Sequence, residues 1–259
     1  MKKLIIIAFA VLLAMPLIAQ ENLYVVMELM KVDNEQEMDY WETEQFWKKI
    51  HQERLKAGEI IGWDLWQLLP GGEDQGYQYA TVNLYNSAEK MFDAGGDFMK
   101  HVKAAYPDMS EDDVYKKFNA TAKARDLAVR IFMERIDQTE GDVSMDVGTI
   151  AYIDFMKVDM GGYSAYEKAE TEVFKPWHQE MVNDGSKGYW GLFRFMVPYG
   201  SDTYASHITV NMFENLQKAL NQEGPGGDLT DAQQKAVEDG LKTRDMKFTY
   251  MARLIDIVR

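Results

Sequence analysis

Met30-Lys31-Val32-Asp33 returns 126 residues later as Met156-Lys157-Val158-Asp159, and the reading of this recurrence decides the fold. Outward from it, His51-Gln52-Glu53 returns as His178-Gln179-Glu180, with Gly58 and Gly185 five residues beyond each Glu. Trp63-x-Leu65 returns as Trp190-x-Leu192, Pro70 as Pro198, and Thr81-Val82-Asn83 as Thr209-Val210-Asn211. Lys123-x-Arg125-Asp126 closes the series as Lys242-x-Arg244-Asp245. The offset stays between 126 and 128 and drops to 119 only at the end. The shortening falls on Gly95-Gly96 and on Gly224-Pro225-Gly226-Gly227, where a loop absorbs length at small entropic cost. Ordered matches at a near-constant period mark a tandem duplication. Residues 1–19 precede it, 20–140 form the first repeat, 141–148 the joint, and 149–259 the second repeat.

Each repeat parses alike. Tyr24 to Val32 and Ile150 to Val158 are apolar, β-branched and aromatic runs ended by Asp, which predicts strands. Glu37 to Ala57 and Tyr163 to Asp184 carry apolar residues at helical spacing and stop before a Gly. Trp63 to Leu69 and Trp190 to Val197 read as second strands, Tyr77 to Tyr85 and Tyr204 to Phe213 as third strands. A helical region follows, longer in the first repeat. Its last helix is announced by the capping patterns at Ser110 and Thr230. Ile131 to Ile136 and Tyr250 to Val258 close the repeats as fourth strands.

The expected class is therefore α+β: two tandem ferredoxin-like βαββαβ units, each an antiparallel sheet with helices on one face. The bare second faces are expected to pack against each other, face to face, with helices outside. This layout resembles the dimeric α/β-barrel superfamily in its fused form, as in chlorite dismutase-like proteins. Haem-degrading and antibiotic-biosynthesis monooxygenases and stress-responsive barrel proteins are its single-unit relatives. The resemblance rests on architecture and duplication, and no family active site is carried over. It implies hydrophobic or planar substrates, with oxidative or isomerase chemistry where there is catalysis.

The 259 residues are 46% hydrophobic with no Cys, which excludes a disordered or disulfide-stapled chain. A net charge of -14 leaves no basic footprint for nucleic acid. Lys2 and Lys3, the apolar run Leu4 to Met15, Pro16 and the Ala19-Gln20 step read as an export signal, too short for a comfortable membrane span. An exported, periplasmic protein with no stable span after cleavage is the expectation.

Chemistry is sought on the third strands. Ala80, Val82 and Leu84, like Ile208, Val210 and Met212, are expected to pack on the helices. Thr81, Asn83, Thr209 and Asn211 then look into the space between the sheets, where the alternatives are a polar ligand pocket or amides that satisfy nearby backbone. His207 stands where the first repeat has Tyr79. Glu28 and Asp154 match on the first strands, Gln67 and Arg194 on the second, and Glu134 and Arg253 on the fourth. The last two are of opposite charge, so an ion pair, an anion site at Arg194 and Arg253, or plain surface salt bridging are all open. Trp63, Trp66, Tyr79 and Trp190 are candidate floors for a planar ligand. His51 and His178 border the apolar stripes of their helices, so haem ligation, acid-base work and a structural hydrogen bond are the alternatives. No metal-ligand spacing, phosphate loop or nucleophile elbow occurs. The function expected is small-molecule binding, with or without catalysis; haem binding and a non-catalytic envelope interaction module with a filled core are its rivals.

Overall fold

In the computed structural model, which describes residues 22–70, 72–93, 98–141, 144–222 and 229–259, the repeated strand runs are all strands. The expected signal segment, residues 142–143 of the joint and most of the two Gly-rich stretches lie outside the described residues. The first half contains β1 (Tyr24–Lys31), α1 (Glu37–Lys56), β2 (Gly62–Leu69), β3 (Tyr79–Tyr85), α2 (Ala88–Phe92), α3 (Phe98–Ala105), α4 (Glu111–Ala124) and β4 (Asp126–Gln138). The second contains β5 (Ile150–Lys157), α5 (Tyr163–Ala169), α6 (Lys175–Asn183), β6 (Tyr189–Val197), β7 (His207–Phe213), α7 (Leu216–Leu220), α8 (Asp231–Leu241) and β8 (Asp245–Val258). Gly58 ends α1 and Gly185 ends α6 at φ of 67° and 76°, a region that favours Gly. Ser110 and Thr230 cap α4 and α8 as expected, Thr230 through a full capping box with Gln233.

The strands form one closed antiparallel barrel in the order β1-β3-β2-β8-β5-β7-β6-β4. Within the first half the order is β4-β1-β3-β2, and within the second β8-β5-β7-β6, so duplicated sequence makes duplicated topology. The expected fused α/β barrel is present, and the two sheets expected to pack face to face are continuous with each other. Their edges pair, β2 with β8 and β4 with β6, and closure satisfies main-chain groups that open edges would leave bare.

The facing of the third strands is also the reverse of that expected. Ala80, Val82, Ile208 and Val210 belong to the cluster that lines the inside of the barrel, with Val25, Met27, Ile153, Phe193 and Leu254. Tyr79 and Tyr85 belong to an outer cluster with Tyr40, Ile60 and Trp63. Thr81 and Asn83 therefore lie under the helices. A lumen walled by eight strands is the driest place in the molecule and takes aliphatic groups, whereas the helix layer brings charged partners to the polar ones.

Two departures from strict repetition have local causes. The offset is 126 at Tyr40 and Tyr166 but 127 at His51 and His178. The additional residue sits in a π-helical turn, Glu170–Phe174, between α5 and α6, which absorbs one residue without breaking the helix. β4 and β8 begin several residues before the expected starts, because their first five residues are exposed and show no burial alternation. No helix among the described residues is long and apolar enough to cross a membrane.

Candidate functional site

A cavity of about 710 Å³ lies outside the barrel, between the outer sheet face of the first half and the helices above it. Val26, Glu28, Thr81, Asn83 and Trp63 form its sheet side, and Trp47, His51 and Arg54 of α1 one wall. Its roof exists because α3 and α4 carry Phe98, Val102, Val114 and Phe118, which cluster with Phe46 and Ile50 of α1. Trp47 and Phe118 stack at 5.7 Å.

His51 is buried on this wall, and its ring stacks on Trp63 at 5.1 Å and 18°. Its Nδ1 lies 3.1 Å from Arg54 Nη1. A guanidinium only donates, so Nδ1 must accept, and the neutral ring carries its proton on Nε2. Burial holds the His51 pKa well below its usual range, and the charges of Arg54 and Arg125 push the same way. Arg54 also donates to Glu59 at 2.6 Å, to the Tyr85 hydroxyl at 3.2 Å and to Asn83 Oδ1 at 3.4 Å. On the sheet, Glu28 accepts from Thr81 at 3.1 Å and from Arg130 at 2.6 Å. Glu44, about two helical turns before His51, is buried, and burial raises its pKa to about 7, with Glu28 adding and Arg125, 3.1 Å away, opposing. The cavity thus offers an imidazole N–H donor, a carboxyl that exchanges a proton near neutrality, guanidinium charge and aromatic walls.

The second half repeats the plan with a different cation. His178 stacks on Trp190 at 5.2 Å and 18°. Here Lys187, from the turn before β6, places its ammonium 2.8 Å from His178 Nδ1 and donates to Asn211 Oδ1 at 2.7 Å. Asp154 closes the network by accepting from Thr209, Asn211 and Thr249. Burial, then Lys187, lowers the His178 pKa to about 3, and burial lowers that of Lys187 to about 8. Among the described residues nothing in this half corresponds to α3.

Of the residues singled out by sequence, Thr81, Asn83 and His51 come together in the cavity with Trp63 as its floor, and Thr209, Asn211 and His178 come together in the other half. The two groups do not share a pocket, because each faces the helices of its own half. His207 is buried elsewhere, between Ser206 at 3.0 Å and Glu167 at 3.1 Å, with Tyr163 and Tyr166 edge-on. Arg194 joins the same group, bridging Glu167 at 2.9 Å and Glu134 at 2.5 Å. Glu134 therefore pairs with Arg194, its neighbour across the β4–β6 seam, and not with Arg253, which is exposed. With Arg194 bound to two carboxylates and Arg253 on the surface, no anion site forms between them. Trp66 lies in the lumen and Tyr79 donates to Glu37, so neither floors the cavity.

Sequence reasoning missed the cations Arg54 and Lys187, which occupy unrelated positions and leave no repeat signal. It also missed Glu44 as the partner of Arg125 and Glu170 as that of Arg244, although Tyr40-x3-Glu44 returns at the same offset as Tyr166-x3-Glu170.

Whether either helix-borne His could ligate haem iron depends on which ring nitrogen carries the proton. An iron-ligating imidazole presents a lone pair to the metal and donates its other N–H to an acceptor. Both rings are held the other way round, with a cation against Nδ1 and the proton on Nε2. They do not fit haem ligation. Among the described residues no group of three or more His, Asp and Glu is placed to hold a metal ion.

No protein-family model and no curated protein sequence matches the chain. Solved structures do match in fold. A protein assigned as a monooxygenase from Lactobacillus acidophilus NCFM aligns with TM-score 0.54 at 8% identity, over 92% of this chain and 96% of that one. An anthrone oxidase-like protein aligns with TM-score 0.54 at 11% identity, over 93% and 94%. A cyanide-complexed variant of the chlorite dismutase of Candidatus Nitrospira defluvii aligns with TM-score 0.50 at 9% identity, over 90% and 91%. At such identities the likeness is one of fold: with strand order and closure it shows the dimeric α/β-barrel fold, here closed by a single chain.

Proposed function

We propose that this is an exported protein that binds a planar, oxygen-bearing aromatic molecule in the first-half cavity and exchanges a proton with it at Glu44. The observation that carries the reading is the pairing, in one cavity of about 710 Å³, of aromatic walls with a buried His51–Arg54–Asn83 cluster. Sites for small organic ligands join apolar walls to placed polar groups, and this cavity has both, with a larger polar share than most. The His51 Nε2–H suits a carbonyl or phenolate oxygen, and Trp47, Trp63 and Phe98 suit a flat ring. In this reading the two halves are copies of one ferredoxin-like unit. The first keeps a site open beneath α3, while in the second Lys187 and Asp154 close the corresponding network on itself. A non-catalytic envelope module with a filled core is less well supported, since the space inside the barrel is not filled. The polar pocket expected between the sheets is replaced by this outer one. Export rests on the sequence of residues 1–19.

The test is a titration of intrinsic tryptophan fluorescence with a dihydroxyanthraquinone. Saturable quenching that Trp47→Phe diminishes is expected. Asn83→Leu and His51→Ala should each weaken binding about tenfold or more, with Asn211→Leu without effect. Equal affinity in Asn83→Leu, or loss only in Asn211→Leu, sinks the reading.

A further inference from the structure

The duplicated Pro70 and Pro198 follow directly on β2 and β6, and the strands beside them run on. The β6 ladder with β4 stops at Val197, paired with Phe132, and the β2 ladder with β8 at Leu69, paired with Met251. A proline has no N–H to carry a ladder further, so both seams finish there. β4 therefore extends past its seam over residues 126–131, laddered only to β1, and β8 over residues 245–250, laddered only to β5. The other edge of each extension meets no strand among the described residues. The first five residues of both are exposed, apolar Leu127, Val129, Met246 and Phe248 included. An open edge of this kind pairs with another strand unless something blocks it.

The two edges are not equally open. The middle of the exposed β8 run is Lys247, and an antiparallel copy centred there would set two lysines face to face. The middle of the β4 run is Ala128. A copy centred on Ala128 sets Asp126 opposite Arg130 of the partner subunit and Leu127 opposite the partner's Val129, each twice. The Asp126 carboxylate is exposed and has no ion-pair partner among the described residues. Arg130 is half exposed, and Glu28 holds its Nε and Nη2 at 2.6 Å, which leaves Nη1 for a second carboxylate. One guanidinium already serves two carboxylates in this molecule, where Arg194 bridges Glu134 and Glu167. We infer that a second copy of this chain pairs with the β4 edge, strand against strand, about a two-fold axis at Ala128. Pairing of β4 with the partner's β8 instead would set only one complementary pair, Arg130 against Asp245 of the partner subunit. Six residues a side fall short of the roughly twenty that a stable interface uses, so the association is weak and concentration dependent. Asp126, Leu127 and Arg130 also line the first-half cavity, so the partner strand lies along its rim. The pairing stands whether or not that cavity holds a ligand.

The test is sedimentation velocity of the protein over concentrations from about 1 μM to about 200 μM. A reversible monomer–dimer equilibrium is expected. Asp126→Arg and Arg130→Glu each set like charges opposite one another, so each should weaken self-association about tenfold or more. An equimolar mixture of the two restores both complementary pairs and should associate like the parent protein. Lys247→Glu should change nothing. The chain has no Cys, so Ala128→Cys should form a disulfide-linked dimer on air oxidation, faster than Lys247→Cys does. Circular dichroism melting of each variant establishes that the barrel is intact, and the cysteine pair serves should Arg130→Glu fail to fold. A monomer throughout the range, undiminished association in Asp126→Arg, a mixture no more associated than its components, sensitivity to Lys247→Glu, or equal oxidation of the two cysteine variants overturns the inference.

Discussion

Arg54 shows how much one side chain can fix. Its guanidinium sets the tautomer of His51, holds the Asn83 carbonyl and the Tyr85 hydroxyl, and neutralises Glu59. Replacing it by Met strips a buried cation from several partners at once and should destabilise the protein by about 3 kcal/mol. The more specific readout is nitrogen NMR of His51. In the parent protein Nδ1 should resonate as an unprotonated ring nitrogen and Nε2 as a protonated one. In Arg54→Met the two tautomers should mix, because nothing then obliges Nδ1 to accept. An unchanged tautomer would show that some other group imposes it. Lys187 does the equivalent task in the second half from a different part of the chain, so the geometry is preserved where the residue type and position are not.

At the scale of elements, the halves are tied by reciprocal struts. Lys48 of α1 reaches Asp256 of β8 at 2.5 Å, and Lys175 at the start of α6 reaches Asp137 of β4 at 2.7 Å. Each Asp sits beside a register shift at a seam and also accepts the next backbone N–H, from Ile257 or Gln138 at 2.8 Å. Lys48→Met and Lys175→Met should each cost about 1 kcal/mol, and the double variant the sum, since the seams share no partner. A urea series on the four proteins checks it, and marked non-additivity would mean the seams communicate. These struts were legible in principle, because Ile136-Asp137 returns as Ile255-Asp256 at the closing offset of 119. The strands, the principal helices and the caps were readable because periodicity and capping are local. Strand facing was not: Val82 and Asn83 alternate equally well either way, and only closure of the barrel decides which side is dry. The cavity was unreadable for a related reason, since its roof is a packing of α3 on α1 and α4 that no local pattern encodes.

For the whole molecule the buried titratable groups pull in opposite directions. Glu44 and Glu170, raised by burial from 4.5 to about 7, take up protons in the folded state first. Their contribution is present below pH 4.5 and lost as pH rises through about 7. His178, lowered from 6.5 to about 3, does the reverse, and His51 shifts the same way. Their contribution is present above pH 6.5 and lost as pH falls, for His178 through about 3. Each group acts with a slope of about 1.4 kcal/mol per pH unit in its window. Asp64, raised by burial from 3.8 to about 6, adds to the carboxyl side; between about pH 4.5 and 6.5 the two kinds oppose each other, so the urea midpoint should change little there and fall below about pH 4. In the Glu44→Gln, Glu170→Gln variant the acid loss should begin near pH 6.5, and His178→Gln should soften it. A decline that starts near pH 6.5 in the unaltered protein would contradict this balance.

The seams carry one more implication. Both β2–β8 and β4–β6 join one half to the other by main-chain hydrogen bonds, while the only covalent link runs from Gln138 to Ile150. Among its described residues that short tether adds no strand, though Ser144 and Met145 help line the lumen; it chiefly keeps the local concentration of one half around the other high. A chain nicked there should hold together as a two-piece complex, come apart only on dilution, and reassemble when the pieces are mixed.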